Sequence, residues 1–371
     1  VTDSHRPIRF ILFADTHLGF DYPIRPRVQR RRRGEEFFTN YRRVLAHAAR
    51  VNADFIVHGG DFFFRSKVPA KIVDLAYAPL FEFAEKIPVY IVPGNHERSV
   101  LPVSLYLSHP NIHVFIEPRS FTLRLHGTRV TLSGFPFQRK DIRGRFQSLL
   151  AQTGSRHTAS DARLLCMHQT VAGATVGPSD YRFRSGQDVI RSADLPPDFD
   201  AVLSGHIHRK QILRPCFQNR QSVPVIYPGS TQPTSFAEKD EVKGFFEIEI
   251  LQHPQAGCRL GKTEFHPLPT RPMQEIVLDS RASRAELVAR LQCKLAELDK
   301  DAIIRLKWRG PPNAETEAVL TIPYLRSIIP PSMNFQLSPV LRHQRNYLRR
   351  SDSFRGTILG HAAEGAVISF S

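Results

Sequence analysis

The chain has 371 residues, with 51 Lys and Arg against 35 Asp and Glu, for a formal net charge of +16. At 41% hydrophobic and 10% aromatic it can bury a core, which excludes wholesale disorder, and its length suits one large domain plus a smaller one. No apolar run nears the roughly 20 residues of a spanning helix, the first residues lack the apolar core of a signal peptide, and the four cysteines (Cys166, Cys216, Cys258, Cys293) form no Cys-x-x-Cys pair. The expectation is a cytoplasmic protein with reduced thiols, no membrane partner and an affinity for some anion.

In chain order, residues 8–13 read as a buried strand, and so do 55–57 and 89–92. Between the first two, Phe37, Phe38, Tyr41, Val44, Leu45 and Ala48 mark one face of a helix over 35–51. A second helix over 70–86 contains Pro79, which should kink or split it. This β-α-β-α-β opening favours a parallel sheet with right-handed crossovers. Runs at 112–116, 121–125 and 129–132 are close enough to pair antiparallel. Strands at 163–167, 201–203, 223–227 and 245–250 follow, with no evident helix between them. The mixture points to two packed sheets with helices outside. Pro267, Pro269 and Pro272 suit an extended linker. Beyond it come a strand at 274–278, a capping box at Ser283 and Glu286 opening a helix to about residue 298, and a strand at 303–308. The expected domains are 1–266, a small α/β domain at 273–335, and a basic tail or partner-binding extension at 336–371.

Five of the apolar runs end in the same kinds of polar residue. They close with Asp15-Thr-His17, Gly59-Gly-Asp61, Gly94-Asn-His-Glu97, His168 and Gly205-His-Ile-His208. Ligand sites in α/β sheets form beyond the carboxyl ends of strands. Residues two apart in extended chain face one side, so Asp15 with His17, and His206 with His208, each grip one site as a pair. Asp15, His17, Asp61, Asn95, His168, His206 and His208 make seven oxygen or nitrogen donors without a thiolate. That set exceeds one four-coordinate ion and suits two borderline-hard ions bridged by a shared carboxylate, with Asp61 the natural bridge. Mn²⁺ is the first candidate, with Fe²⁺ or Zn²⁺ as alternatives. His58, before the Gly-Gly turn, reads as structural.

D-x-H, G-G-D, G-N-H-E, a lone His and G-H-x-H, in that order, resemble the calcineurin-like metallophosphoesterase superfamily. The resemblance covers residues 10–208 and implies a four-layered α-β-β-α sandwich around a dinuclear centre. Carried over motif by motif, Asp15, His17, Asp61 and His208 hold one ion, and Asp61, Asn95, His168 and His206 the other. The resemblance leaves His96 free of metal and implies that water held between the ions attacks phosphorus in line. Beside Asn95 on the same turn, His96 is placed to act as general acid, with a substrate-positioning hydrogen bond as the alternative role.

Asp15-Thr-His-Leu-Gly19, Gly205-His-Ile-His-Arg209, Tyr227-Pro-Gly-Ser230 and the stretch from Thr234 to Phe245 are similar to the SbcD-type DNA repair nucleases. This implies DNA as substrate, a capping role for the small domain, an SMC-type ATPase partner and a homodimer. Near the first motif lie Arg25, Arg27, Arg30, Arg31, Arg32, Arg33, Arg42 and Arg43 against Glu35 and Glu36, a local excess of +6 that suits a nucleic-acid backbone. One departure stands out: the break-repair nucleases read D-L-F-H at the second motif, where this chain has Asp61-Phe-Phe-Phe64. That weakens the case for processive exonuclease action and favours endonuclease or single-strand activity. An ATPase-docking segment is evident only if residues 336–350 supply a reduced one. A phosphodiesterase or phosphatase for small phosphoesters is the competing enzyme. A DNA-end tethering subunit is the competing non-enzymatic reading.

Overall fold

The structure, a computed structural model, describes residues 6–22, 31–97, 101, 109–214, 216–217, 220–221, 223–253, 257–311, 313–319 and 321–338. They fall into two compact units, 6–22 with 33–270, and 31–32 with 271–338. Nearly all of the tail expected at 336–371 lies outside the described residues. Among the described residues no helix is long and apolar enough to cross a membrane.

In the first unit, β1 (Ile8–Phe13), β2 (Phe55–His58), β3 (Val89–Ile91) and β4 (Ile112–Val114) run parallel. Two long antiparallel strands, β11 (Gly244–His253) and β12 (Gly257–Pro267), complete a six-stranded sheet in the order β12-β11-β1-β2-β3-β4. Helices α1 (Gly34–Arg50) and α2 (Ala70–Ala84) make its crossovers. The second sheet repeats the plan. A parallel centre of β6 (Thr128–Gly134), β7 (Ala162–Met167), β8 (Ala201–Ser204) and β10 (Val225–Tyr227) is flanked by antiparallel β5 (Arg119–Leu125) and β9 (Gln211–Leu213).

The period-2 geometry of β1 explains the layering. Ile11 and Phe13 point into a core with Phe37, Phe38, Tyr41, Ile72, Ala76 and Leu80 from α1 and α2. Phe10 and Leu12 point the other way, into a core shared with Leu132, Leu164, Cys166 and Leu203 of the second sheet. Phe10 stacks on Phe55 there, centroids 4.8 Å apart. Beyond the second sheet, Leu165, Met167 and Val202 pack against Phe146, Leu149 and Leu150 of α3 (Ile142–Gln152). Helix, sheet, sheet and helix therefore stack as the expected α-β-β-α sandwich.

Four details differ from the sequence reading. α2 runs on through Pro79, because Ile72, Ala76, Leu80 and Ala84 bury both of its halves in one core; that packing outweighs the roughly 3 kcal/mol cost of an internal proline. β4 pairs parallel with β3 in the first sheet rather than antiparallel with β5. α3, capped by the Asp141 carboxylate on Gly144 N, lies where no helix was read. β12 reaches Pro267, so the strand extends into the expected linker.

In the second unit, β13 (Met273–Asp279), β14 (Ile303–Arg309) and β15 (Asn334–Leu337) form a parallel three-stranded sheet. α4 (Arg284–Glu297) opens with the Ser283–Glu286 capping box and buries Leu287, Leu291 and Leu295 against Ile276, Leu278, Ile304 and Leu306. Short helices α5 (Ala314–Val319) and α6 (Ile322–Ile328) add Val319 and Leu325 to that core. Arg31 also belongs to this unit: its backbone N–H donates to Pro331 O and its guanidinium pairs with Asp301 at 2.5 Å.

Candidate metal centre

The five polar clusters follow the carboxyl ends of β1, β2, β3, β7 and β8, all strands of parallel centres. The segments after β1 and β2 run side by side: Asp15 N donates to Gly60 O (2.8 Å) and His17 N to Asp61 O (3.0 Å). Asp15, His17, Asp61 and His206 take left-handed backbone, with φ of 52°, 44°, 53° and 79°. Such strain costs on the order of 1–3 kcal/mol per residue and concentrates at functional sites. Glycine makes the close approaches feasible. A Cβ on Gly94 would stand 2.1 Å from Asp61 Oδ1, and one on Gly60, at φ 112°, 2.1 Å from His168 Nδ1.

The side chains meet in two groups that share Asp61. Ligand atoms of Asp15, His17, Asp61 and His208 all lie within 4.8 Å of one another. The Nε2 atoms of His17 and His208 are 3.0 Å apart. In the other group Asn95 Oδ1 is 3.1 Å from His168 Nε2 and 2.9 Å from His206 Nδ1, while Asp61 Oδ2 is 3.4 Å from His168 Nε2. Asp15 Oδ2 and His17 Nδ1 are buried without a hydrogen-bond partner among the described residues. Orphaned buried acceptors beside converging nitrogens and carboxylates are costly in a plain core. They are what a pair of divalent cations would satisfy, so the donor set fits such ions.

The far nitrogens of His168 and His208 are fixed by the protein. His168 Nδ1 donates to Gly59 O at 2.7 Å, which turns its Nε2 lone pair inward. His208 Nδ1 faces Glu238 Oε1 at 3.2 Å. Glu238 is itself locked by Lys243, fully buried at 2.6 Å, and by the hydroxyls of Thr234 and Ser235. Electrostatics follow the same pairing. Burial opposes charge on His168 and His208, yet Asp61 and Glu238 respectively carry each up to about 9. Burial and then His168 push His206 down to about 3. Burial also opposes charge on Asp61, but His168 holds it well below the ordinary carboxylate range.

His96 stands apart from both groups. Its Nδ1–H donates to Phe64 O (2.8 Å), which turns Nε2 toward the centre, 3.8 Å from Asp61 Oδ2. Its backbone N–H holds Asp61 Oδ1 (2.9 Å). Glu97 is buried and accepts from the backbone N–H groups of Phe63 (2.6 Å) and Gly94 (2.8 Å), clamping the turn after β2 to the turn after β3. His58 ties the segment after β1 to the turn after β2, with Nε2 3.0 Å from the Thr16 hydroxyl and Nδ1 accepting from Gly60 N (3.2 Å).

Sequence reasoning passed over Glu238 and Lys243. Both lie in the Thr234–Phe245 stretch that carries the nuclease resemblance, but a run of alternating charges reads as a solvated loop until its burial is seen. The arginine run divides. Arg25, Arg27 and Arg30 lie outside the described residues. Arg31 is paired with Asp301, and Arg32 is grouped with the second unit. Arg33 requires a correction: it is buried, donates to Pro233 O at 2.5 Å and lies over the rings of Phe20 and Phe37, so it braces the fold and is not open to a phosphate.

A four-layered sandwich with two merged His/Asp/Asn donor groups at parallel strand ends defines a metal-dependent hydrolase. The calcineurin-like phosphoesterase family matches residues 8–210, and the chain belongs to that family. Three archaeal proteins named DNA double-strand break repair protein Mre11 are similar to it. The one from Archaeoglobus fulgidus is 24% identical over 82% of this chain and 68% of its own length. That from Methanococcus maripaludis is 24% identical over 68% of each chain, and that from Haloferax volcanii 26% identical over 84% of this chain and 64% of its own.

Proposed function

We propose that the chain is a metal-dependent phosphodiesterase that cleaves DNA, with Mn²⁺ as its working ion. The observation that carries the chemistry is the convergence of Asp15, His17, Asn95, His168, His206 and His208 on the shared Asp61. Two divalent ions on such a set supply Lewis-acid clamping of a phosphate and a water nucleophile at neutral pH. The chain's own residues do the rest. Asp61 ties the two groups together, and His96 presents a ring nitrogen of fixed tautomer to receive or deliver the leaving-group proton. The choice of DNA is supported by the similarity to break-repair proteins and by the +16 charge. Of the arginine path, Arg25, Arg27 and Arg30, which lie outside the described residues, stay in the proposal as contacts to the DNA backbone. An SMC-type ATPase and a second copy of the chain belong to the same proposal as partners, and the small domain to it as a cap.

The test is a cleavage assay with Mn²⁺ on end-labelled single-stranded, duplex and hairpin DNA, beside a chromogenic phosphodiester. DNA cleavage that weakens steeply with salt is expected, with His96→Ala keeping its bound metal and losing turnover on both substrates. Intact DNA alongside brisk hydrolysis of the small ester would move the protein to small phosphoesters. Salt-sensitive DNA binding without any hydrolysis would make it a tethering subunit.

A further inference from the structure

A second group of histidine and carboxylate lies in the first unit and shares no residue with the centre described above. His47 comes from the last turn of α1, Glu247 from β11 and His266 from β12, and their ligand atoms lie within 4.8 Å of one another. The register explains why they meet. Phe245 pairs with His266 and Glu247 with Glu264, so Glu247 and His266 are diagonal neighbours on one face of the hairpin. Phe245, on that same face, packs in the core formed with α1.

The three side chains are already oriented. Glu247 Oε1 is held by Arg9 Nε at 3.1 Å, leaving Oε2 for the histidines. His47 Nε2 lies 2.8 Å from Oε2 and His266 Nε2 lies 3.2 Å from it. Phe245 fixes both rings, stacked under His266 (5.3 Å, 18°) and edge-on to His47 (4.9 Å, 68°). His266 Nε2 is buried and makes no hydrogen bond among the described residues despite its closeness to Oε2. Its lone pair and that of the carboxylate therefore converge on one point.

We infer that His47, Glu247 and His266 form a second site for a zinc-type divalent ion. Two imidazoles and one carboxylate, with water in the fourth position, are a donor set that such an ion accepts and that Mg²⁺ and Ca²⁺ do not favour. Its role is to pin the end of α1 to the β11–β12 hairpin. One contact opposes loading. Arg50 Nη2 sits 2.8 Å from His47 Nδ1, and a guanidinium only donates, so it places the His47 proton on Nε2. Ion binding displaces that proton and requires Arg50, an exposed residue, to swing off Nδ1.

The experiment uses the full chain, stripped with chelator and dialysed against Zn²⁺ or Co²⁺, with bound ions counted by mass spectrometry. The wild type should hold one ion more per chain than His47→Ala/His266→Ala. A chain with Asp61, His168, His206 and His208 all changed to Ala, which strips both halves of the centre described above, should keep a single Co²⁺ with a visible absorption band. Arg50→Ala should tighten the site, and Zn²⁺ should raise the melting temperature of that variant further than that of Glu247→Gln, in which only the centre described above can load. Equal ion counts in the wild type and the double variant overturn the inference. So does an unchanged zinc affinity in Arg50→Ala together with an unchanged zinc shift in Glu247→Gln, a pair of readings that stands even where the double variant misfolds.

Discussion

The two halves of the candidate centre hold their histidines by different means. In one, the far nitrogen of His168 is fixed by a peptide carbonyl, Gly59 O, within the turn that also delivers Asp61. In the other, the far nitrogen of His208 is fixed by a carboxylate, Glu238, which a fully buried Lys243 locks in place. A neutral carbonyl sets the tautomer and adds only a small rise in basicity, the least of the influences that raise His168. A charged partner also raises the basicity of the ring it faces. The first half is therefore secured by backbone that no side-chain substitution removes, whereas the second depends on a salt bridge about thirty residues along the chain. The halves should fail separately, except at the residue they share.

That residue gives the largest expected effect. Asp61 touches both groups and accepts the His96 N–H, and Gly94 is small enough to let it in. Asp61→Asn keeps the shape but removes the shared charge. Phosphodiester turnover should fall to background and the chain should bind fewer than two Mn²⁺, counted after gel filtration. Two tightly held ions in that variant would show that the halves are independent and that Asp61 does not join them.

Glu238→Gln separates the halves. It leaves the His168 side untouched and strips the charge from behind His208. Loss of such an orienting partner typically costs 10–100-fold in metal affinity, so a Mn²⁺ titration should split into one unchanged and one weakened step. In metal-free protein the His208 ring, carried up to about 9 with Glu238 as its largest favourable influence, should lose its proton at lower pH in the variant, followed by NMR. Two steps weakened alike would mean that Glu238 merely stabilises the loop. Lys243 keeps Glu241 and the His208 carbonyl as partners, so the fold should survive.

The contrast also shows what one chain of letters can carry. The strand-end motifs were legible because a buried strand, a glycine turn and a polar donor are all local patterns. α1 and α4 were legible from their apolar faces. What the letters hid were pairings set at long range. Lys243 and Glu238 look solvated until both prove buried. Arg33 and Arg31 look like free positive charge until Pro233 and Asp301 are found beside them. β4 sits near β5 in sequence, yet it completes the other sheet. α3 escaped because Arg143, Gly144 and Arg145 interrupt its apolar positions, although Ile142, Phe146, Leu149 and Leu150 keep helical spacing. Pro79 misled in the opposite direction, since a local rule yielded to packing.

The smallest expected effect lies at the mouth of the site. Phe64 packs its ring beside His17 (6.0 Å) and His96 (5.5 Å), where the similar nuclease motif has histidine. Only its carbonyl serves His96, and a carbonyl survives any substitution. Phe64→His should therefore leave ion binding and hydrolysis of a chromogenic phosphodiester close to wild type, in contrast to both variants above. What it adds is a polar ring beside His17 and His96, available to a substrate too large for the inner donors. The expected change is a gain on duplex ends relative to single strands, read from end-labelled DNA of both kinds in one assay. A loss of Mn²⁺ binding instead would place Phe64 among the groups that shape the inner site, and the line between donors and mouth would have to be redrawn.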